Sequence, residues 1–429
     1  MDKLALDLPA GDPKRGLSSM ARGLVGSEIL KIAAEIRAKQ AAGASICNLT
    51  VGDFSSKEFP IPKALLDGTL RALQAGETNY PPSDGVLKLR EAVRDDVRAR
   101  LHLDLPIESV VIAGGARPII FAAYTALVEP GDVVVYPVPS WNNNHYCHIS
   151  GARGLAVPCA AEDGFLPTAK QLAPHLREAR LLTLCTPLNP AGTVLAPAEV
   201  KAIAELVVEE NRRREPLGQK PLYLLYDQIY WQLTFGGARH VTPVELVPAS
   251  APYVVFVDGI SKAFAATGVR VGWGLGPPAV ISAMRDILGH VGAWAPRAEQ
   301  VATAELLRDT TERNRYSAWL LDGLQARLDK LYKGFTAMAA SGLPVRAIAP
   351  QGAIYLSVQF ALGGKRGLHT NDSVRRYLLD EAGFAVVPFQ AFGLEGDSGW
   401  FRLSVGAVSE KEIDQALPRV EAALRRALD

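Results

Sequence analysis

The sequence predicts an α/β protein with a mostly parallel central sheet flanked by helices, followed by a smaller α+β domain. Between residues 109 and 276, short continuous apolar runs alternate with helical patterns, which is typical of strands buried on both faces. From about residue 300 the composition changes to a long helical pattern followed by shorter elements. The 429 residues are enough for two or more domains with a sizeable core.

The N-terminal part of the chain has helical patterns on either side of a short strand. Residues 27–43 place apolar side chains at helical spacing, with Ser27 as the predicted N-cap and Gly43 as the stop. "ICNLTVGDF" (46–54) is typical of a short strand that ends in a turn. Residues 62–102 predict two helices around the turn-rich loop "GETNYPPSDG" (76–85).

The middle of the chain supplies the central sheet. An irregular Asn-rich loop is expected after residue 140, and the charged stretch 209–220 is typical of a solvated helix end and surface loop. Predicted helices cover residues 117–131 and 196–214, and one long helix covers 300–335. The predicted strands lie in "SVVIAGG" (109–115), "DVVVYPVPS" (132–140), "ARLLTLCTPLNPAG" (179–192), "PLYLLYDQIY" (221–230), "YVVFVDGISK" (253–262) and "VRVGWGLG" (269–276).

Composition excludes several classes of protein. The 46 basic and 45 acidic residues give a formal net charge of +1, so we expect no nucleic-acid partner. The four cysteines lack metal-ligand spacing, which indicates free thiols in a reducing compartment and no metal site. We find no apolar stretch typical of a signal peptide or membrane span, so we expect a cytoplasmic protein with no membrane partner.

Polar residues cluster directly after the predicted strands. Open α/β sheets bind ligands beyond the carboxyl ends of their strands. These residues are therefore expected to meet in one pocket although they lie far apart in the sequence. They are Gly114-Gly115, Asn189, Asp227 and Ser261-Lys262.

Lys262 is the candidate nucleophile of this pocket. A lysine directly after a buried strand loses hydration, which lowers the pKa of its amine and suits it to form a Schiff base. A lysine taken alone is more often a solvated surface residue. Ser261 before it, Arg270 eight residues later and the preceding apolar run favour the catalytic role.

The other polar groups suit a phosphorylated heteroaromatic aldehyde. Backbone N–H groups at a helix start, with Arg and Ser side chains, bind phosphate, and a carboxylate holds a proton on a ring nitrogen. Pyridoxal 5′-phosphate (PLP) has all of these features. The candidate ligands are Gly115, Ala116, Ser261 and Arg270 for the phosphate, Asp227 for the ring nitrogen, and Tyr230 and Asn189 for the phenolic oxygen.

Several motifs, in the right order, resemble the class I/II aminotransferase family of fold type I PLP enzymes, which includes aspartate aminotransferase. The resemblance covers roughly residues 25–425. Each motif is weak alone, and the set in this order is specific. The motifs are "SKAFAATGVR" (261–270), "TPLNPAGTV" (186–194), "YDQIY" (226–230), "YPVPSW" (136–141), "NYPPSDGVLKLREAV" (79–93), "FRLSVG" (401–406) and "NLTVGD" (48–53).

The resemblance implies roles for residues that the pocket argument does not reach. Trp141 would stack on the cofactor, Arg402 would bind the substrate α-carboxylate, and Gly52 would approach the substrate together with Asn189 and Trp141. Tyr80 would reach the phosphate bound by the partner subunit, which implies a homodimer. Read from the residues alone, there are other interpretations: core packing for Trp141, a structural ion pair for Arg402, an N-cap for Asp227 and an ordinary turn for Asn189-Pro190. The position of Trp141 at the end of a strand favours stacking, and the spacing of Asp227 to Tyr230 favours the cofactor role.

The resemblance also implies a reaction and a domain plan. The reaction is ping-pong transfer of an amino group from an L-amino acid to a 2-oxo acid, with Lys262 moving the α-proton. Residues 1–60 would join the small domain, 61–300 would form the large PLP-binding domain, and 301–429 the small C-terminal domain. Another PLP reaction (β-lyase, decarboxylase or acyl-CoA condensing) and a non-catalytic effector-binding protein remain as alternatives.

The sequence leaves the substrate side chain open. Ala116 stands where some family members have a lysine for a distal carboxylate. Other members use an arginine of the partner subunit, and Arg297 lies in the corresponding loop, 289–300. Trp294 in the same loop would equally suit an apolar side chain.

Overall fold

Strands form a seven-stranded central sheet and two smaller sheets in the computed structural model, which describes residues 14–26 and 28–429. The strands are β1 (Cys47–Asn48), β2 (Val110–Ala113), β3 (Val133–Val138), β4 (Arg153–Pro158), β5 (Ala179–Cys185), β6 (Tyr223–Asp227), β7 (Val254–Gly259), β8 (Gly272–Leu275), β9 (Val345–Ala347), β10 (Tyr355–Phe360), β11 (Phe384–Ala385), β12 (Val387–Pro388) and β13 (Trp400–Ser404).

The helices cover the central sheet and build most of the C-terminal part. They are α1 (Ser19–Gly23), α2 (Glu28–Ala41), α3 (Lys63–Gln74), α4 (Leu87–Leu101), α5 (Ala116–Leu127), α6 (Asn143–Ser150), α7 (Ala169–Leu176), α8 (Pro197–Arg214), α9 (Pro243–Leu246), α10 (Ile260–Ala263), α11 (Pro278–His290), α12 (Arg297–Arg308), α13 (Thr310–Ala340), α14 (Asn371–Ala382) and α15 (Glu410–Leu428).

The central sheet has the strand order β2-β8-β7-β6-β5-β3-β4. The neighbours from β4 through β3, β5 and β6 to β7 pair in parallel, whereas β8 runs antiparallel to both β7 and β2. Every residue of β2, β3, β7 and β8 is buried, which explains their continuous apolar runs. The predicted fold class is confirmed.

Two smaller sheets lie outside the central one. β12, β13, β10 and β9 form an antiparallel sheet, and β1 pairs in parallel with β11. Cys47 lies opposite Phe384, so the N-terminal segment is tied to the C-terminal part of the chain. The division into domains at residues 60 and 300 stays a prediction.

Three local predictions are wrong. The expected long helix over 300–335 is two helices, because Asp309 has a non-helical backbone and its side chain accepts the Glu312 N–H to start α13. The expected Asn-rich loop contains α6, where His148 Nε2 lies 2.8 Å from the Met20 carbonyl oxygen. In the stretch expected to be solvated, Arg214 is only 5% exposed and donates to the carbonyl oxygens of Leu176 and Ala179.

The helix predicted over 27–43 is α2, which ends at Ala41. Gly43 has a φ of +90°, a conformation that glycine adopts readily at such a stop. The predicted N-cap, Ser27, lies outside the described residues. No helix within residues 14–26 and 28–429 has the length and apolar character needed to cross a bilayer, and the four cysteines are unpaired.

Candidate active site

Lys262 lies in the short helix α10, directly beyond the buried strand β7. Its Nζ donates a hydrogen bond to the Gly52 carbonyl oxygen at 2.7 Å and lies 5.8 Å from the ring centres of both Phe54 and Tyr230. Burial lowers the pKa of Lys262 to about 8, opposed by the nearby carboxylate of Asp53. With this pKa about one-tenth of the amine is neutral at pH 7, far more than for a lysine in water.

Asp227 ends β6, the strand next to β7. Its Oδ1 accepts the Ile229 N–H at 3.1 Å. Burial raises the pKa of Asp227 to about 6, while the charge of Lys262 opposes the rise. The amine and the carboxylate thus lie at the ends of adjacent parallel strands, close enough to interact electrostatically.

Tyr230 follows in the turn after β6 and is 3% exposed. Its hydroxyl lies 2.6 Å from the hydroxyl of Tyr355, the first residue of β10. Burial raises the pKa of both phenols, so both hydroxyls keep their protons at neutral pH. One phenol donates to the other, and the second proton is available to a ligand.

Arg402 is a fully enclosed arginine on β13, 1% exposed. Its Nη1 donates to Asn189 Oδ1 at 3.1 Å and its Nη2 to the Thr50 carbonyl oxygen at 2.6 Å. The buried Nε has no hydrogen-bond partner among the described residues. A side chain at Gly52 would meet the Tyr355 hydroxyl at 2.9 Å and Arg402 Nη1 at 3.5 Å, so glycine keeps the space beside the guanidinium open.

A turn rich in backbone donors joins β2 to α5. Gly115 has a φ of +98°, and a Cβ there would collide with the guanidinium of Arg270. Arg270 donates to the carbonyl oxygens of Gly114 at 2.8 Å and Thr267 at 2.6 Å. The first backbone N–H groups of α5, from Ala116 onward, thus lie beside the guanidinium of Arg270. A helix N-terminus next to an arginine is a common arrangement for binding phosphate.

The remaining predicted site residues, Ser261, Trp141 and Tyr80, differ in how near they lie to Lys262. Ser261 is buried next to Lys262. Trp141 is half-buried beyond β3, with its ring centre 6.3 Å from that of Phe392. Tyr80 is 81% exposed, and its ring centre lies 5.1 Å from that of Trp294 with the two rings tilted by 59°. No hydrogen bond or ring contact joins Tyr80 to the other site residues that the structure describes.

Three residues to which no sequence motif gave a role also belong to this site. Tyr355 carries no local motif, and only the folding of β10 against β13 brings it to Tyr230. Asp53 accepts a hydrogen bond from Thr267 at 2.5 Å and acts on Lys262. Its position directly after Gly52 was a usable signal. Arg117 lies over the Trp141 ring at 5.3 Å.

The family is shown by comparison with known proteins. The model of the aminotransferase class I and II family matches residues 44–420, so the chain belongs to this family. Its architecture is that of fold type I, and the chain is an enzyme of the transaminase type. The alternative reactions and the effector-binding alternative are not favoured.

Individual relatives span nearly the whole chain. An aspartate aminotransferase of Rhizobium meliloti (strain 1021) is 32% identical over 409 residues, covering 93% of this chain and 94% of the relative. A probable aspartate/prephenate aminotransferase of Thermus aquaticus is 29% identical, covering 96% and 100%. A Thermus thermophilus aspartate aminotransferase with maleate superposes with a TM-score of 0.85 at 27% identity, covering 95% and 100%.

Proposed function

We propose that this enzyme uses PLP to move an amino group from an L-amino acid to a 2-oxo acid in a ping-pong cycle. The observation that carries the proposal is the Lys262 amine, enclosed beside Gly52 with a pKa of about 8. The carboxylate of Asp227 and the guanidinium of Arg402 lie in the same site. The relatives named aspartate and aspartate/prephenate aminotransferases support the same reaction.

The donor set fits the cofactor. The Gly114–Ala116 turn, with Ser261 and Arg270, suits a phosphate, and φ +98° at Gly115 leaves the turn open to it. Asp227 suits a protonated ring nitrogen, and Tyr230 with Asn189 suits the phenolic oxygen. PLP supplies an aldehyde for the amine of Lys262 and a pyridinium ring that withdraws electrons from the substrate.

The side chains then have distinct tasks in amino transfer. Arg402 binds the substrate α-carboxylate, and its unpaired Nε is a donor for it. Lys262 Nζ would hold the aldehyde and, as a free amine, would take the proton from the substrate Cα. Asp227 holds the proton on the ring nitrogen, because a cation beside this raised-pKa carboxyl stabilises its ionised form. Tyr355 orients the hydroxyl of Tyr230.

An exposed apolar face and an exposed tyrosine support a homodimer as the working unit. Leu66, Leu70 and Leu73 lie on one face of α3 and are 48%, 51% and 47% exposed. Such an apolar stripe on a surface helix is typical of a buried interface. Tyr80, beyond the end of α3, is free to reach a partner's phosphate. A cytoplasmic location remains a prediction from the sequence.

Two measurements on the purified enzyme test the cofactor and the reaction. After loading with PLP, borohydride reduction is expected to leave a pyridoxyl adduct on the peptide that contains Lys262. Addition of an amino acid without an acceptor is expected to yield pyridoxamine phosphate and the matching 2-oxo acid in equal amounts. Lys262→Ala should lower the rate by at least about 1,000-fold, because it removes both the nucleophile and the proton carrier.

A matched control and contrary outcomes make this test decisive. Lys201, an exposed lysine that pairs with Glu205 on α8, is the control position, and Lys201→Ala should leave both results unchanged. An adduct found only on surface lysines would refute the role of Lys262. Release of ammonia with no pyridoxamine phosphate would identify a lyase instead.

A further inference from the structure

Arg117 is a cation of this site that neither the pocket argument nor the resemblance assigned. It is the second residue of α5, directly after Ala116. Its guanidinium carbon lies 5.3 Å from the ring centre of Trp141. A guanidinium over an indole face is attracted by the ring, which holds the charge at the side of the site that Trp141 lines.

The other arginines around the site have protein partners, although Arg402 keeps its Nε open. Arg402 donates to Asn189 and Thr50, and Arg270 donates to Gly114 and Thr267. Arg297 is ion-paired with Glu77. Arg117, by contrast, is an exposed residue that makes no hydrogen bond and no ion pair with the residues that the structure describes.

The charge of Arg117 acts inside the reaction centre. It is one of the cations that, after burial, lower the pKa of Lys262, together with Arg402 and Arg270. Its field also reaches the phenol of Tyr146 on α6. A side chain that reached only into bulk solvent would be screened from groups buried in the site.

Two cations with open donors in one site select for two anionic groups on the substrate. Arg402 is matched to the α-carboxylate, and a planar guanidinium binds a second carboxylate through a two-point contact. An apolar side chain would satisfy none of the five N–H groups of Arg117. We propose that Arg117 is the specificity-determining residue of this enzyme and binds the side-chain carboxylate of a dicarboxylic amino acid or 2-oxo acid.

This inference rests on the proposed function, and a donor panel separates the two. The wild-type enzyme and Arg117→Gln are each assayed for kcat/KM with aspartate, glutamate, alanine and phenylalanine. In the variant we expect kcat/KM for aspartate and glutamate to fall by about 10- to 100-fold, the range for a lost charge-assisted contact. The values for alanine and phenylalanine should change less than about threefold. Arg117→Lys should keep part of the acidic preference, because it keeps the charge but not the planar fork.

Control variants fix the interpretation. Arg425→Gln removes one exposed charge, which pairs with Glu421 on α15, and should leave all four values unchanged. Loss of the acidic preference in Arg297→Gln but not in Arg117→Gln would overturn the assignment, as would an equal loss for all four donors. Weaker PLP binding in Arg117→Gln, measured by equilibrium dialysis, would place this arginine at the phosphate instead. No turnover of any donor by the wild type would refute the proposed function itself.

Discussion

At the scale of single residues, burial sets the ionisation of the two groups on which the chemistry depends. Lys262 is moved toward its neutral form and Asp227 toward its protonated form by the same loss of hydration. Both pKa shifts favour the uncharged form of the side chain. A ligand that brings a positive charge to Asp227 and an aldehyde to Lys262 therefore stabilises both side chains.

The lowered pKa of Lys262 predicts how the protein without cofactor captures PLP at different pH values. Only the neutral amine attacks an aldehyde, so the capture rate follows the neutral fraction. With a pKa of about 8 rather than the usual 10.5, the rate should rise roughly tenfold per pH unit below 8 and level off above it. Stopped-flow absorbance between pH 6 and about 10 measures this profile.

A lysine free in solution provides the comparison for that profile. The reaction of PLP with Nα-acetyl-lysine, whose amine has the ordinary pKa of about 10.4, should continue to rise toward pH 10. An inflection for Lys262 near 10.5 would mean that burial does not control its amine.

At the scale of helices and strands, periodicity predicted the elements but not their ends. The runs that became β5, β6 and β7 are buried on both faces, and the sequence shows this directly. The break at Asp309 was missed because the apolar pattern continues across it, although Asp309 with Glu312 three residues later is a local N-cap signal. Tyr355 was missed for a different reason, since its contact with Tyr230 joins residues 125 positions apart.

A buried hydrogen bond joins the two turns that carry the proposed catalytic groups. Trp231 Nε1 donates to Asp258 Oδ2 at 2.8 Å, and the second oxygen of Asp258 accepts the Gly259 N–H at 2.7 Å. Trp231 follows Tyr230, and Asp258 lies four residues before Lys262. The guanidinium carbon of Arg100 lies over the indole ring, 4.3 Å from its centre. This contact fixes the turn after β6 against the end of β7.

Removing the donor should therefore destabilise the fold measurably. Trp231→Phe leaves one oxygen of the buried Asp258 without a partner, at a cost of about 1–3 kcal/mol in the free energy of unfolding. Asp258→Asn should also lower the free energy of unfolding, because the new NH2 group would face one of the two N–H donors that now bind the carboxylate. The double variant should lose less than the sum of the two. Urea denaturation monitored by circular dichroism measures all four proteins.

A partly exposed tryptophan serves as the control for this cycle. Trp319 on α13 is 43% exposed, and Trp319→Phe should change the free energy of unfolding by less than about 1 kcal/mol. Strict additivity of the Trp231 and Asp258 variants would show that the contact carries no coupling energy.

At the scale of the whole molecule, the site draws on distant parts of the chain. Gly52 and Thr50 come from the N-terminal segment, Lys262 from the central sheet and Arg402 from the antiparallel sheet. Sequence motifs identified most of these positions because their residue types are dictated by the chemistry of the ligand. The contacts between them depend on how the sheets pack, which no local pattern encodes.

The exposed Tyr80 leads to a prediction about two subunits acting together. If Tyr80 completes the partner's phosphate site, Tyr80→Ala and Lys262→Ala impair different sites of one dimer. A mixed dimer of the two variants then contains one site with both an intact Lys262 and an intact Tyr80. With random pairing, about half of the dimers are mixed, and each mixed dimer has one intact site of two. When the variants are mixed under conditions that allow subunit exchange, activity at low PLP should therefore rise to as much as about one quarter of the wild-type value.

Separate measurements distinguish this outcome from its alternatives. Tyr80→Ala alone should bind PLP about tenfold more weakly, the loss of one hydrogen bond to a charged group. The control is a mixture of Lys262→Ala with the double variant Tyr80→Ala/Lys262→Ala, which has no intact lysine and should stay inactive. If the first mixture gains nothing although native mass spectrometry finds mixed dimers, Tyr80 does not serve the opposite site. If the protein stays monomeric at working concentration with full activity, the exposed leucine face of α3 has another explanation and the homodimer is refuted.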